Sequence, residues 1–303
     1  MTAIRRWARL ACLLAMIVVP LGAYVRLSDA GLGCPDWPGC YGHLAVPDQP
    51  HEQAAAARAF PGLPLDAGKA AKEMLHRYLA GGLGFMIAGV AWLDWRRARR
   101  RGEAGWRASQ TLVLVVTGQA LLGMWTVTLL LKPAIVTLHL IGGLVLLALL
   151  CVQAVRHTQA VRGVQPAVLA APLRLGVLVT GALVALQVVL GGWVSTNYAV
   201  LACTTFPTCQ GSWWPVMDFA QGFQLWRPLG LLQDGSHISF AGLTAIHYAH
   251  RLVAYGVLLA LAWLAWRLHR ATALRLQARW LAGLALLQLA TGLSNVVLGW
   301  PLL

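Results

Sequence analysis

The chain has 303 residues, of which 58% are apolar and only 11% are charged, and its formal net charge is +14. A soluble domain cannot bury so large an apolar fraction. The positive charge is divided among the connections between apolar runs, a pattern of membrane orientation rather than of nucleic-acid binding. We therefore expect an all-α membrane protein.

Seven apolar segments are long enough to cross a hydrocarbon layer of about 30 Å, which takes roughly 20 helical residues. The first follows a basic flank, as in a cleaved signal peptide, but it recurs in an internal repeat and is interpreted as a retained helix. The predicted spans are 8–25, 71–93, 108–129, 134–155, 172–193, 242–266 and 280–300.

The basic residues cluster in alternate connections. They precede the first span and follow the second, fourth and sixth spans. The positive-inside rule places these segments in the cytoplasm, and the amino terminus with them. The long, charge-poor stretches 26–70 and 194–241 are then expected to face outward.

An internal repeat organises the chain. Residues 34–42 match residues 203–211, with Cys, Pro, Cys and Gly at a constant offset of 169. Such self-similarity predicts two four-helix repeats of the same, parallel orientation, residues 1–165 and 166–303. Further matches are Gly22 with Gly191, Gln119 with Gln288, Gly123 with Gly292, and His76-Arg77 with His250-Arg251.

The second repeat stops early. Its fourth helix should begin at residues 301–303, just as Pro133 opens the fourth helix of the first repeat. The counterpart of His139 would fall beyond Leu303. We therefore expect seven spans, with the eighth either missing from a truncated form or supplied in another way.

Two matched cysteine pairs, Cys34/Cys40 and Cys203/Cys209, lie in the predicted outer loops. In an oxidising compartment each pair can close a short disulfide ring. The ring is either a structural staple or a redox-active pair, and the sequence leaves both open. Cys12 and Cys151 lie within spans and resemble ordinary small apolar residues.

Of nine histidines, only His76, His139, His247 and His250 lie within spans. A histidine within a membrane helix is costly and marks a functional hypothesis. His76 and His139 have similar depths on what we expect to be neighbouring helices, as axial ligation of a flat metallomacrocycle from both faces requires. The alternative is a polar hydrogen bond between helices.

Glu73 stands one helical turn before His76, whereas His247 takes that position before His250. A carboxylate at this depth can carry a proton or stabilise a cationic intermediate. The asymmetry suggests a reacting site in the first half and a storage or relay site in the second.

Arg77 and Arg251 directly follow the two histidines. Their guanidinium groups can form forked hydrogen bonds with haem propionates. The alternative is an arginine that extends from the helix end towards water.

These residues together resemble a known family, the haem A synthases of the cytochrome oxidase assembly pathway, in their proteobacterial form. The matching motifs are Gly-Leu-Gly-Cys-Pro-Asp-Trp-Pro at 31–38, Glu-Met-Leu-His-Arg at 73–77, Thr-Leu-His-Leu at 137–140, Gly-Trp-Val-Ser-Thr-Asn-Tyr-Ala at 192–199 and His-Arg at 250–251. They are spread over nearly the whole chain.

The resemblance implies a multi-pass enzyme of the bacterial inner membrane. It would oxidise the C8 methyl of haem O to a formyl group through hydroxylation steps, making haem A for cytochrome oxidase. His76 and His139 would be axial ligands of the substrate haem iron, Glu73 would act in the oxidation, and His250 would ligate a haem b cofactor. The implied partners are a haem O synthase, membrane lipid and an electron acceptor of unknown identity. Without the last helix, the haem b site would lack a ligand.

Two other classes of function compete with this interpretation. One is a non-catalytic membrane protein that transfers electrons between two bis-histidine haems and has no need of Glu73. The other is a thiol-redox or transport protein in which the cysteine pairs are the active groups. Replacement of Glu73, and of Cys34 with Cys40, distinguishes the three.

Overall fold

The computed structural model describes residues 2–101 and 107–298. These residues form α-helices and short 3₁₀ turns, and no β-strand occurs in either range. The all-α prediction is confirmed. The α-helices are α1 (Thr2–Leu27), α2 (Pro50–Ala59), α3 (Ala67–Arg101), α4 (Arg107–Thr128), α5 (Pro133–Arg162), α6 (Ala171–Thr196), α7 (Phe219–Gly222), α8 (Phe240–Arg270) and α9 (Arg275–Val297).

Seven of the described helices, all except α2 and α7, are long and apolar enough to cross a membrane. Each contains most of one predicted span, so the prediction of a multi-pass membrane protein is confirmed. Several helices are longer than the spans. Helix α3 has 35 residues, a length of about 52 Å against a hydrocarbon layer of about 30 Å. The basic residues after Asp94, predicted as a connection, continue this helix as far as Arg101.

The chain forms two compact units that divide after Pro166. In the first unit, α1 and α4 each pack against both α3 and α5, so α3 and α5 occupy opposite corners of a four-helix bundle. The side chains of Ala11 and Ala15 on α1 are fully buried in its core, together with Ile87 and Leu150. Small residues on α1 allow its backbone to approach its neighbours closely, as is common in membrane helices.

In the second unit, α8 packs against both α6 and α9. Gly176 on α6 makes room for the indole of Trp263 on α8, because a Cβ at this glycine would collide with the ring. Helix α7 and the 3₁₀ turn at Ala199–Ala202 pack on the same helix, α8. Residues 299–303, which include the predicted start of an eighth helix, lie outside the described part of the chain.

The two long segments that the sequence predicts as outward-facing loops, 26–70 and 194–241, contain short helices. Helix α2 has Pro50 in its first turn, and Glu52 accepts hydrogen bonds from the backbone N–H groups of Asp48 and Gln49. Asp218 caps α7 by accepting from the N–H of Gln221 at 2.9 Å. Both arrangements satisfy N–H groups that a helix start leaves unpaired.

Candidate functional site

His76 on α3 and His139 on α5 approach the middle of the first bundle from opposite corners. The expectation that they lie on neighbouring helices is therefore wrong, because α1 and α4 separate their two helices. The imidazoles are close enough for a coulombic interaction between them. The Nδ1 atoms of both rings are buried and have no hydrogen-bond partner among the described residues. A flat ligand held from both faces fits two opposed imidazoles better than it fits two on adjacent helices.

A glycine lies against each of these rings. A Cβ built on Gly22 of α1 would lie 2.8 Å from Cε1 of His76, and one built on Gly123 of α4 would lie 3.1 Å from Cε1 of His139. Real side chains do not pack so closely, so the glycines provide the space that the imidazoles occupy. Gln119, one turn before Gly123, donates from Nε2 to the backbone oxygen of His139 at 2.6 Å and ties α4 to α5.

Glu73 is buried, with 4% of its surface exposed. Its Oε2 accepts from the backbone N–H of Cys34 at 2.9 Å, and its Oε1 accepts from Nη2 of Arg77 at 2.5 Å. The carboxylate is therefore held by an ion pair on its own helix and by the loop that contains Cys34. Its position one turn from His76 is fixed from two directions.

The guanidinium of Arg77 connects this carboxylate to the first disulfide loop. Besides Glu73, it donates from Nη1 to the backbone oxygens of Asp36, at 2.9 Å, and Gly39. Arg251 makes the corresponding contacts in the second unit, donating from Nη1 to Thr205 O at 2.6 Å and Thr208 O at 2.7 Å. Each arginine thus ties its histidine-bearing helix to its disulfide loop, and we call these contacts the arginine clasp. This role differs both from binding of haem propionates and from extension towards water at a helix end.

Disulfides close both loops, Cys34–Cys40 and Cys203–Cys209, with Cα atoms 4.7 and 4.6 Å apart. All four cysteines are at most 1% exposed. A thiol carrier cannot reach such sulfur atoms unless the loop opens, which favours the structural staple over the redox-active pair.

Tyr41 follows the first disulfide and is also buried, and its hydroxyl donates to the backbone oxygen of Pro64 at 3.1 Å. Burial raises the pKa of the Tyr41 phenol above its ordinary value. The hydroxyl thus stays protonated and remains a donor in the neutral range, which helps to fix the loop.

His250 on α8 has surroundings like those of His76. A Cβ at Gly191 of α6 would lie 3.0 Å from Cε1 of His250. The amide nitrogen of Gln187 lies 3.0 Å from Nδ1 of His250 and 3.1 Å from its Nε2. His247, which takes the place of Glu73, is buried and places Nδ1 2.9 Å from the backbone oxygen of Ala199. The second unit therefore keeps the glycine, histidine and clasp but has an imidazole where the first has a carboxylate.

Two features of these units were missed or only partly seen in the sequence. The pairs Gly22/Gly191 and Gly123/Gly292 appeared as repeat matches, and only the structure shows that three of these glycines face histidines. Cys12 and Cys151, predicted to be ordinary apolar residues, place their sulfur atoms 3.1 Å apart between α1 and α5. Nothing in the sequence indicated this contact between residues 139 positions apart.

The chain matches the COX15-CtaA family, described as cytochrome oxidase assembly protein, over residues 5–303. It belongs to this family. The family resemblance inferred from the motifs is thus confirmed.

Individual relatives agree. A Shewanella oneidensis protein named heme A synthase is 40% identical over 299 residues, covering 97% of this chain and 88% of that protein. Proteins of the same name from Sphingopyxis alaskensis and Parvibaculum lavamentivorans also match. The first is 30% identical, covering 86% of this chain and 75% of its own length. The second is 28% identical, covering 97% of this chain and 86% of its own length.

Proposed function

We propose that this protein is a haem A synthase of the bacterial inner membrane, an oxidoreductase that converts the C8 methyl of haem O to a formyl group. The observation that carries the proposal is the pair of opposed imidazoles, His76 and His139, each against a glycine. The buried carboxylate of Glu73 stands one helical turn before His76. Its relatives named heme A synthase support the same reaction.

The residues present fit a haem. An imidazole binds iron through one of its ring nitrogens, and the buried Nδ1 atoms of His76 and His139 have no partner among the described residues. Gly22 and Gly123 leave the rings room to adopt the orientation that axial ligation needs. In this proposal, residues 1–165 hold the substrate, with His76 and His139 as the axial ligands of haem O.

Glu73 is the proposed catalytic residue. With water as the source of oxygen, oxidation of a methyl to a formyl group releases protons, and electrons that pass to the electron acceptor. A fixed carboxylate can accept a proton or stabilise positive charge that develops at the methyl carbon. The ion pair with Arg77 and the N–H of Cys34 keep the carboxylate oriented before the substrate arrives. Preorganisation of this kind is worth more in a site from which water is excluded than in water.

In the second half, residues 166–303, His250 would hold haem b, which supplies one-electron transfer when bound. Gly191 gives the ring of His250 the same kind of space that Gly22 gives His76. His247 replaces the carboxylate with an imidazole tied to the backbone oxygen of Ala199. This half therefore lacks a counterpart of the catalytic group, as an electron-relay site would. A haem O synthase that delivers the substrate, membrane lipid and an electron acceptor complete the proposed partners.

The test is expression of the chain together with a haem O synthase, followed by extraction and chromatography of the haems. Haem A in the extract is the expected result. Glu73→Gln should abolish haem A while bound haem is retained. Asp48→Asn, at an exposed carboxylate between α1 and α2, should leave haem A unchanged.

Each competing function predicts a different result. A protein that only transfers electrons between two haems would yield no haem A and would be indifferent to Glu73→Gln. A thiol-redox protein would yield no haem A, and it would catalyse thiol–disulfide exchange that is lost when Cys34 and Cys40 are both replaced by serine. Either pattern would contradict the proposed function.

A further inference from the structure

A polar cluster is buried at the basic end of the first bundle. It consists of Asp94 on α3, Ser109 on α4 and Gln153 on α5, which are 9%, 1% and 6% exposed. Asp94 lies 18 residues beyond His76 on the same helix, a separation of about 27 Å. The cluster is thus separate from the proposed haem site.

The three side chains form a closed hydrogen-bond network. Oδ2 of Asp94 accepts from the Ser109 hydroxyl and, at 3.2 Å, from Nε2 of Gln153, and Nε2 of Gln153 also donates to the Ser109 hydroxyl at 2.8 Å. His157 places Nε2 3.9 Å from the same carboxylate oxygen. A carboxylate accepts hydrogen bonds, so the side-chain amide of Gln153 directs its Nε2 towards Asp94 and its Oε1 away from it.

This network borders a cavity of about 270 Å³, lined by Asp94, Arg97, Ala98, Ala108, Gln153, Arg156 and His157. Oε1 of Gln153 and Nε of Arg97 are buried and have no partner among the described residues. A buried polar atom without a partner is costly. The two residues that carry these atoms both line the cavity, so a small rotation of either side chain would present a hydrogen-bonding group to a ligand there.

The second unit shows that helix packing does not need these polar groups. At the offsets of 174 and 169 that match the two repeats, Asp94 corresponds to Leu268 and Ser109 to Ala278. Those two residues are buried together with Leu264 in an apolar cluster. At these two positions the second unit has apolar side chains, so its helix ends pack without a polar network there.

The chemistry of the walls indicates the class of ligand. A carboxylate and a free amide oxygen suit an ammonium group, which offers N–H donors, whereas two arginines suit a phosphate. The cavity lies where α3 and α5 approach their basic ends and α4 begins. The positive-inside rule predicts that such basic ends lie at a membrane surface, where lipid head groups are found. We propose that it binds the phosphoethanolamine head group of a membrane lipid, with the ammonium at Asp94 and Gln153 and the phosphate at Arg97 and Arg156.

The test uses the full chain in detergent and short-chain lipids added at equal concentrations. Native mass spectrometry would compare retention of phosphatidylethanolamine with that of phosphatidylcholine, which has the same phosphate but no ammonium N–H. The charge-assisted hydrogen bonds predict about tenfold stronger retention of phosphatidylethanolamine. Equal retention of the two lipids would overturn the proposal, and so would stronger retention of phosphatidylglycerol, because the site would then recognise the phosphate alone.

A triple variant, Asp94→Leu, Ser109→Ala and Gln153→Leu, gives the first half the apolar side chains that the second half already tolerates at two of these positions. It should lose the preference for phosphatidylethanolamine while far-ultraviolet circular dichroism and bound haem remain unchanged. Asp94→Asn alone retains the shape and should also weaken the preference. If both variants keep the full preference, the lipid binds elsewhere and the proposal fails. Soluble phosphoethanolamine that abolishes lipid retention at equal concentration would show that the site takes the free head group rather than the lipid.

Discussion

At the scale of single residues, the histidines of both units depend on neighbouring glycines, whose lack of a side chain leaves space for the imidazole rings. Gly22, Gly123 and Gly191 each leave space that an imidazole fills. Gly22 and Gly191 are 169 residues apart, the same offset that relates the two cysteine motifs. Gly81 on α3 offers a contrast, because a Cβ there meets no atom within 4 Å. The same substitution therefore has opposite consequences at different glycines.

Gly22→Ala and Gly123→Ala should each lower the haem content of the first half, because the new methyl group displaces the ring of His76 or His139. Gly81→Ala is the matched control and should bind haem normally, with a gain in helix stability of up to about 1 kcal/mol. Haem per polypeptide, measured by the pyridine haemochrome spectrum, decides the matter. Full occupancy in both of the first two variants would show that the glycines do not position the histidines.

Glu73 and Arg77 should behave as a coupled pair. Arg77→Gln leaves a buried carboxylate without its ion-pair partner, and breaking such a pair costs about 3–5 kcal/mol. Addition of Glu73→Gln removes the uncompensated charge, so the double variant should unfold at a higher temperature than Arg77→Gln alone. Thermal unfolding followed by circular dichroism tests this order. Strictly additive effects of the two substitutions would argue against the ion pair seen in the structure.

At the scale of helices and loops, hydropathy predicted all seven long helices, because crossing a membrane demands about 20 apolar residues whatever the tertiary contacts. The contacts that arrange those helices were not predictable in the same way. Arg77 is far along the chain from the carbonyls of Asp36 and Gly39 that it binds, and its pattern in the sequence fits several roles equally well. Short helices such as α2 also escaped notice, since neither apolar periodicity nor length marks them.

The contact between Cys12 and Cys151 provides a direct test of how α1 packs against α5. The sulfur atoms are 3.1 Å apart, about 1 Å more than the length of a disulfide bond. Mild oxidation of membranes with copper phenanthroline should therefore link the two residues within one chain. Mass spectrometry of the alkylated, digested protein would identify the linked peptide, and Cys12→Ala should eliminate it. Failure to form the link under conditions that oxidise exposed thiols would contradict the packing of α1 on α5.

At the scale of the whole molecule, the two units share a plan and differ in chemistry. Both have a glycine against a histidine, an arginine clasp and a disulfide loop. Among the described residues, only the first unit has a buried carboxylate at the clasp and a polar network at its basic end. The repeat and the difference between Glu73 and His247 were visible in the sequence. The burial of Asp94, Ser109 and Gln153 together was not, because these residues come from three helices that only folding brings into contact.

The distribution of arginines predicts the orientation of the whole chain, with the amino terminus in the cytoplasm. Alkaline phosphatase fused after Trp214 should be active, because this position belongs to an outward segment, whereas a fusion after Gly163 should be inactive. Protein levels measured by immunoblotting control for differences in expression. The reverse pattern of activities would require the opposite orientation of the chain.

The hydrogen bond from the backbone of Cys34 to Glu73 has a consequence for the order of events during biogenesis. Helices α1 and α3 can insert and pack as soon as the chain enters the bilayer, but the loop that holds the carboxylate reaches its final form only after its two thiols have been oxidised outside. Freshly inserted protein would then pass through an immature stage, in which the histidines are in place and the acid is not. Cells that lack the machinery for disulfide formation would be expected to accumulate this immature protein, able to take up haem but slow to convert it.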